Sequence, residues 1–271
     1  MVQKSQSPSL FLVGAGPGDP ELMTLKGFKA LQNADVILYD HLANRELLNM
    51  AGPDCEKVYV GKQPYGNYTP QEVIHEMIKH YAYSRGNVVR LKGGDPFIFG
   101  RGFEEVLFAR SNGISASYIP GITSMQVSGL LEIPLTHRGI SESIWSITGT
   151  NKDGQLSKDL IPALRSSATV VIYMGMKNLA KIVLLCQKYG RESTPAAIIQ
   201  NGSHANQRYV VCKACELVKE SANAGLGHPA IIIIGEVVRI SYEKLLTRST
   251  NDTASDKKPK HSRRSFCDPG F

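Results

Sequence analysis

A short apolar run that ends in two glycines constrains the fold of this chain more than any other feature. Residues 88–92 read Val-Val-Arg-Leu-Lys, and Gly93, Gly94, Asp95 and Pro96 follow directly. The β-branched residues predict a buried strand, and the glycines predict that it ends in backbone that no side chain covers. Ligands bind at the carboxyl edge of the strands in open α/β folds, so we expect a binding site here. A tight turn is the alternative, but it explains one glycine rather than four glycines and two phenylalanines within ten residues.

A glycine-rich loop near the start of the chain predicts a second edge of the same kind. Residues 10–13 are a short apolar run, residues 14–20 read Gly-Ala-Gly-Pro-Gly-Asp-Pro, and a helix is predicted from about Thr24. The loop imitates the dinucleotide motif G-x-G-x-x-G, but Asp19 occupies the third glycine position. Its two prolines also remove amide donors that a pyrophosphate would use, which is evidence against NAD.

A third loop, residues 120–124, follows a strand-like run and opens an apolar helix. Thr123 and Ser124 then lie at a helix start, where unpaired amides hold carboxylates or ribose hydroxyls. A plain helix cap is the alternative role for both residues.

Strand-like and helix-like stretches alternate along the chain, an order that predicts an α/β architecture with mainly parallel sheets. The pattern restarts after Arg138, at a stretch of glycine and polar residues. We therefore predict two α/β lobes, residues 1–138 and 139–246, with an active-site cleft between them. Residues 247–271 are polar and basic without periodicity, which predicts a disordered tail.

The clearest predicted helix starts near residue 69. Thr69 is predicted to be its N-cap, with Pro70 in the first helical position and Glu72 closing a capping box. Apolar residues recur at helical spacing and predict one buried face, formed by Val73, Ile74, Met77, Ile78 and Tyr81.

The charge and the cysteine content narrow the classes of function. The 271 residues carry a net charge of +7, which suits an anionic partner such as nucleic acid or a small polyanion. No apolar run approaches the roughly 20 residues that span a bilayer, so no membrane role is expected. Five cysteines, an odd number, favour a reduced, cytoplasmic protein. Cys212 and Cys215 form a C-x-x-C pair without a second pair of zinc ligands at suitable spacing, so no metal site is expected.

The three loops and several shorter motifs together resemble one known family. The matching segments are VGAGPGDPELMTLKG (13–27), ADVILYD (34–40), VGK (60–62), VVRLKGGDPFIFGRG (88–102), PGITS (120–124), IPLTHR (133–138), YMGM (173–176), NGSHANQR (201–208) and PAIIIIGEVV (229–238). On these motifs the chain resembles the uroporphyrinogen-III C-methyltransferases of the tetrapyrrole methylase superfamily. The resemblance implies the two-lobed fold of that superfamily and a homodimer.

The resemblance also implies the reaction. S-adenosylmethionine would be the methyl donor, and uroporphyrinogen III, an octacarboxylate, would accept two methyl groups and give precorrin-2 for siroheme or cobalamin synthesis. The family's donor-binding positions correspond to Pro17, Gly93, Gly94, Asp95, Ile98, Thr123, Ser124, Met174 and Gly202. For three of them the residue alone has another interpretation, since Asp95 suits a turn cap, Met174 a core position and Gly202 a turn.

Catalytic and substrate roles follow from the resemblance as well. Asp40, at the end of the second predicted strand, matches the family's proton acceptor, and an N-cap is its alternative role. Lys62 matches the proton donor, although its cation suits a substrate carboxylate equally well. Arg138 suits bidentate carboxylate binding, and His137 is predicted to help hold the same substrate.

Four other functions stay open. A later precorrin methyltransferase belongs to the same superfamily, and a ribosomal RNA methyltransferase of similar fold would use the basic tail. The first glycine loop is similar to a dinucleotide-binding loop, which would indicate a nicotinamide oxidoreductase. The missing third glycine is evidence against that function. A non-catalytic ligand-binding module is the fourth, and Asp40 and Lys62 argue against it. We expect a small-molecule substrate rather than nucleic acid.

Overall fold

The computed structural model describes residues 7–61 and 69–241. Its strands are β1 (Ser9–Gly14), β2 (Val36–Tyr39), β3 (Glu56–Tyr59), β4 (Asn87–Lys92), β5 (Ser115–Ile119), β6 (Ile144–Thr148), β7 (Thr169–Tyr173), β8 (Pro195–Gln200), β9 (Arg208–Lys213) and β10 (Ala230–Ile234). Its α-helices are α1 (Leu25–Gln32), α2 (Gln71–Arg85), α3 (Gly102–Ser111), α4 (Leu160–Arg165), α5 (Leu179–Lys188) and α6 (Leu217–Asn223). Within the two described ranges, no helix combines the length and the apolar character needed to cross a bilayer.

The first sheet contains β1 to β5 in the order β3-β2-β4-β1-β5, and every neighbouring pair is parallel. Its three central strands, β1, β2 and β4, are rich in valine, leucine and isoleucine because both of their faces are covered. Helix α1 packs on one face, and α2 and α3 pack on the other. The parallel arrangement brings the carboxyl ends of all five strands to one edge.

The second sheet has the order β6-β7-β10-β8-β9. Only its β6–β7 pair is parallel, and the other three pairs are antiparallel. The predicted α/β class is confirmed, but the expectation that the second sheet is mainly parallel is wrong. A fully buried apolar strand such as β10 has the same sequence pattern in either direction, so the pattern alone does not reveal its partners.

The two lobes meet through a 3-10 helix that follows β5. This helix spans Ser124–Leu131, and its Val127 belongs to the same buried cluster as Val171 and Ile231 of the second sheet. The 3-10 helix therefore packs against the second sheet, and the boundary at residue 138 stays a prediction. The run of glycine and polar residues that follows residue 138 forms a mostly exposed turn.

The start of α2 differs from the prediction. The helix begins at Gln71 with Pro70 in the cap position, and no side chain caps it. The hydroxyl of Thr69 instead donates to the Gly61 carbonyl at 3.0 Å, which ties the helix to the end of β3. Val73 is 46% exposed, so the predicted buried face is narrower than its apolar spacing indicated.

Two cysteines lie in the core of the second lobe, and their burial predicts a loss of stability at alkaline pH. Burial raises the pKa of the Cys186 thiol to about 11 and that of Cys212 to about 12. In an unfolded chain a thiol titrates near about 8.5. The contribution of the two thiols to stability is therefore fully present below about pH 8.5. It falls as the pH rises, because the unfolded chain releases protons that the folded chain retains. We expect urea unfolding to give a free energy about 2–4 kcal/mol lower at pH 10 than at pH 8.

The matched control is the double variant Cys186→Ala, Cys212→Ala. It removes both thiols, so its stability should change less between pH 8 and pH 10 than that of the parent chain. An equal pH dependence in the two proteins would contradict the prediction.

Candidate active site

The carboxyl edge of the first sheet gathers most of the residues predicted to bind the methyl donor. Pro17 follows β1, Gly93 and Gly94 follow β4, Thr123 lies shortly after β5, and Asp40 follows β2. These loops come together because all five strands are parallel and end at the same edge. Lys62 lies outside the described residues, so its proposed role stays a prediction.

Three loops are in direct backbone contact at this edge. A Cβ atom on Gly121 would lie 2.2 Å from the Gly94 carbonyl oxygen and 2.7 Å from the Gly14 Cα. A Cβ atom on Gly14 would lie 2.4 Å from the Gly121 nitrogen. Only glycine allows so close an approach, and the contact fixes the loops after β1, β4 and β5 relative to one another.

The glycine pair after β4 has two different roles. Gly94 has a left-handed backbone with φ of 64°, and its N–H donates to the Gly16 carbonyl at 2.7 Å while its carbonyl accepts from the Gly16 N–H at 3.2 Å. Gly93 lies against Leu42, where a Cβ atom would come within 2.6 Å of the Leu42 Cβ. Gly93 therefore contributes to packing. The backbone of Gly94, which was expected to face a ligand, is already hydrogen-bonded to Gly16.

Asp95 is buried and bonded within the fold. Its carboxylate accepts from the Phe97 N–H at 2.8 Å, from the Tyr118 hydroxyl at 2.5 Å and from the Gly121 N–H at 3.1 Å. Burial, followed by the hydrogen bond to Asp95 and its charge, raises the pKa of Tyr118. These contacts correspond to the turn-capping alternative for Asp95, and its role as a donor ligand stays a prediction.

Exposed apolar side chains border the same edge. Ile98 is 39% exposed and Met174, at the end of β7 in the second lobe, is 52% exposed. Met174 is not the core residue that its type alone suggested, and it has an unusual left-handed backbone with φ of 53°. The ring of Phe99, next to Ile98 in the chain, contacts that of Tyr173, next to Met174, with centroids 5.0 Å apart. The second lobe therefore supplies part of the apolar surface that borders this edge of the first sheet.

Tyr173 joins the two lobes through hydrogen bonds. Its buried hydroxyl shares a bond of 2.7 Å with the Thr123 hydroxyl and accepts from the Met125 N–H at 3.1 Å. Thr123, predicted to bind the donor, is thus also part of the contact between lobes. Ser124 begins the 3-10 helix that follows.

The loop after β8 makes a second contact between the lobes. Gly202 packs so closely on Val127 that a Cβ atom would lie 2.5 Å from one of its methyl groups. Beside it, Ser203 accepts a hydrogen bond from the Asp19 N–H at 2.9 Å. Gly202 therefore lies where the loop after β1 meets the second lobe, and its contact with a donor stays a prediction.

We predict that Tyr173→Phe lowers the free energy of unfolding by about 1–2 kcal/mol, because it leaves the partly buried Met125 N–H without its acceptor. Urea denaturation measures the loss. Tyr83→Phe is the matched control, since Tyr83 is 59% exposed and its hydroxyl donates to a surface carbonyl. Equal losses in the two variants would contradict the assignment of Tyr173 as the link between the lobes.

Asp40 lies at this edge with both carboxylate oxygens engaged. One oxygen accepts from the Leu42 N–H at 3.1 Å, which is a turn contact; the N-cap of the following 3-10 helix (Arg45–Met50) is Asn44, so the capping alternative for Asp40 is wrong. The other pairs with the Arg90 guanidinium at 3.1 Å. The Asp40 side chain keeps 19% of its surface exposed, whereas that of Arg90 keeps 3%.

A buried ionic cluster lies behind Asp40, and sequence analysis gave its members no role. Arg90 and Lys92 of β4 both contact Glu105 of α3, and Gln71 of α2 donates to the same carboxylate at 3.0 Å. Desolvation by burial lowers the pKa of Lys92. The available signal was two cations at alternating positions of an otherwise apolar strand, which places both on the face covered by α2 and α3.

The predicted substrate ligands lie in the segment that precedes β6. His137 and Arg138 are exposed on a tight turn closed by paired backbone hydrogen bonds between His137 and Ser141. The His137 ring contacts the Arg138 carbonyl at 2.9 Å. Their role in holding substrate stays a prediction.

The residues of this edge fit a nucleoside sulfonium compound. The space beside Gly94 is open, since a Cβ atom there would meet nothing closer than the Ser124 nitrogen at 3.7 Å and the Thr123 Cα at 3.9 Å. Polar backbone groups and the Thr123 hydroxyl border this space, and Ile98 and Met174 add apolar surface. Such a mixture suits a ligand with a ribose, an amino-acid group and an adenine ring.

Comparison with known proteins identifies the family. The model of the tetrapyrrole (corrin/porphyrin) methylases matches residues 9–218. The chain belongs to the tetrapyrrole methylases. A uroporphyrinogen-III C-methyltransferase of Methanocaldococcus jannaschii is 42% identical over 234 residues, which cover 85% of this chain and 97% of that relative. Both the predicted family and the predicted fold are confirmed.

Two further tetrapyrrole methylases are similar. The chloroplastic S-adenosyl-L-methionine-dependent uroporphyrinogen III methyltransferase of Arabidopsis thaliana is 41% identical over 86% of this chain. The crystal structure of a Thermus thermophilus uroporphyrin-III C-methyl transferase complexed with S-adenyl homocysteine has a TM-score of 0.74 and 40% identity, and the match covers 86% of this chain and 99% of that one. None of these relatives supports a nicotinamide oxidoreductase.

The length relationship varies among these methylases. The chain spans 64% of the Arabidopsis relative and about half of the siroheme synthases that it matches at 40–42% identity. It spans 92% of a uroporphyrinogen-III C-methyltransferase of Bacillus subtilis.

Proposed function

We propose that this tetrapyrrole methylase is a uroporphyrinogen-III C-methyltransferase that transfers two methyl groups from S-adenosylmethionine to give precorrin-2. The observation that carries the proposal is the meeting of three glycine loops at Gly14, Gly94 and Gly121, beside Asp40 at one edge of a parallel sheet. Relatives of similar length, at 41–42% identity, are named for this activity.

S-adenosylmethionine, when bound, supplies a methyl group on a sulfonium sulfur, which is already a good leaving group. The work left to the protein is mainly alignment and exclusion of water. The Gly94 loop and Thr123 hold the donor in place, and Ile98 and Met174 keep its apolar parts from solvent. Asp40 accepts the proton that a methylated ring carbon must lose. Arg138 and other cations bind carboxylates of the substrate.

The direct test is anaerobic incubation of the purified protein with S-adenosylmethionine and uroporphyrinogen III. We expect the absorption of the methylated chromophore to appear, with two molecules of S-adenosylhomocysteine per molecule of product. Parallel reactions contain precorrin-2 or ribosomal RNA as the acceptor. Methyl transfer to either of these, with none to uroporphyrinogen III, would contradict the proposal and select an alternative within the superfamily.

A homodimer and a cytoplasmic location belong to the proposal as expectations from the resemblance and the cysteine content. Size-exclusion chromatography with light scattering tests the first. We expect the mass of two chains, and the mass of one chain would contradict it.

A further inference from the structure

We infer that Arg90, anchored by Glu105, is a positioning residue that holds the Asp40 carboxylate in the orientation needed to accept a proton. The inference rests on the proposed function, because it concerns the proton acceptor of that reaction. Neither the resemblance nor the relatives assign a role to Arg90 or Glu105.

Arg90 uses each of its three guanidinium nitrogens for a different purpose. Nη2 donates to Asp40 at 3.1 Å, and Nε donates to Glu105 at 3.4 Å. Nη1 donates to the backbone carbonyls of Leu91 at 2.9 Å and Leu38 at 3.4 Å. Because the guanidinium is planar and held at all three nitrogens, the direction of its bond to Asp40 is fixed.

Glu105 is the anchor of this arrangement. Its side chain is fully buried, and its Oε1 accepts from Arg90, from Lys92 at 3.1 Å and from Gln71 at 3.0 Å. Its Oε2 has no hydrogen-bond partner among the described residues. Three donors therefore converge on one oxygen, and α3 is connected through Glu105 to the strand that carries Arg90.

The position of the cluster suggests a purpose other than stability. Val88, two residues before Arg90 on the same face of β4, packs among apolar residues of α2 and α3. Burying the three charges of Arg90, Lys92 and Glu105 has a large desolvation cost, and apolar residues of similar volume often stabilise a core at least as well. On this face of β4, the change from apolar to ionic packing occurs next to Asp40, where a fixed carboxylate is useful to the chemistry.

Asp40 is held from two directions as a result. The Leu42 N–H fixes one oxygen and Arg90 fixes the other, while the side chain remains partly exposed at the edge of the sheet. A proton acceptor requires this combination, because a displacement of about 1 Å can reduce a rate about 100-fold. Lysine in place of Arg90 keeps the charge but provides a single nitrogen, so it cannot maintain both contacts.

The experiment is a double-mutant cycle on turnover in the complete protein, with uroporphyrinogen III as substrate. Arg90→Lys and Arg90→Met are measured alone and combined with Asp40→Asn. We expect each Arg90 variant to lower kcat by about 100-fold, with the KM for S-adenosylmethionine and the Kd for S-adenosylhomocysteine within about threefold of the parent. In the Asp40→Asn background the same changes should have little further effect, because Arg90 acts through Asp40.

Two controls separate positioning from general damage. Lys92→Met removes a buried cation from the same Glu105 oxygen without touching Asp40, so it should reduce stability with a much smaller loss of kcat. Arg85→Met breaks an exposed ion pair with Glu56 and should leave kcat unchanged. If Arg90→Met does not fold, Arg90→Lys, which keeps the buried charge, decides the question.

Each outcome has one meaning. The inference would be overturned if the loss of kcat in a double variant equals the product of the losses in the two single variants. It would also be overturned if Lys92→Met loses as much kcat as the Arg90 variants. Normal turnover by Asp40→Asn would overturn it too, while leaving the methyltransferase assignment intact. Absence of methylation by the parent protein refutes the proposed function. The orientation of Asp40 is then tested by a crystal structure of Arg90→Lys, in which an unmoved carboxylate contradicts the inference.

Discussion

Gly121→Ala is expected to lower the free energy of unfolding by about 3 kcal/mol or more and to abolish binding of the methyl donor. The added methyl group would lie 2.2 Å from the Gly94 carbonyl oxygen and 2.7 Å from the Gly14 Cα. Both neighbours are backbone atoms at the ends of buried strands, so neither can move without shifting β1 or β4. Urea denaturation measures the stability, and calorimetry with S-adenosylhomocysteine measures the binding.

Gly129→Ala is the matched control. Gly129 is exposed in the 3-10 helix Ser124–Leu131, and a Cβ atom there meets nothing within 4 Å. Alanine should change stability by less than about 1 kcal/mol, in the stabilising direction, because it restricts the unfolded chain. If both variants behave alike, the contact between the three loops is not what holds the site together.

Asp40→Asn is expected to lower kcat by about 10²–10⁴-fold, the usual contribution of a general base. Asparagine has nearly the same shape and keeps an oxygen for the Leu42 N–H, so the loop after β2 should keep that contact, while the ion pair with Arg90 is lost. The amide oxygen cannot take up the proton from the substrate. Single-turnover methylation of uroporphyrinogen III gives the rate, and the affinity for S-adenosylhomocysteine should stay within about threefold of the parent.

Asp54→Asn controls for the change of charge. Asp54 is exposed in the turn before β3, and its replacement should leave turnover unaffected. A variant at Asp40 that retains more than about one tenth of the parent rate would exclude this carboxylate as the proton acceptor.

Local sequence patterns predicted the strands that precede the three glycine loops, because short apolar runs rich in β-branched residues favour strands. Such runs do not reveal direction. β10 lies between two antiparallel neighbours, yet its sequence resembles that of a parallel strand. Thr69 does not cap α2, because its hydroxyl donates to the Gly61 carbonyl after β3. That partner lies eight residues earlier, so the local capping pattern does not reveal it.

The candidate site could be predicted as a set of loops but not as a set of contacts. Parallel strands bring Asp40 and the glycines to one edge, and this follows from the alternation of elements. The mutual hydrogen bonds of Gly16 and Gly94, the packing of Gly93 on Leu42 and the three donors on Asp95 depend on distances between loops. Arg90 was hidden for another reason, because a charged residue inside a strand is normally interpreted as facing solvent.

The position of β1 in the first sheet affects how the chain must be made. Among the described residues its strand partners are β4 and β5, which begin at Asn87 and Ser115, so residues 9–14 emerge from the ribosome well before either partner exists. At about 5–20 residues per second, the delay lasts several seconds. During that time an apolar segment with two open edges is available to other nascent chains. Chaperone protection early in synthesis should therefore matter more for the yield of this lobe than for the second one, whose β8 and β9 pair across a short connection.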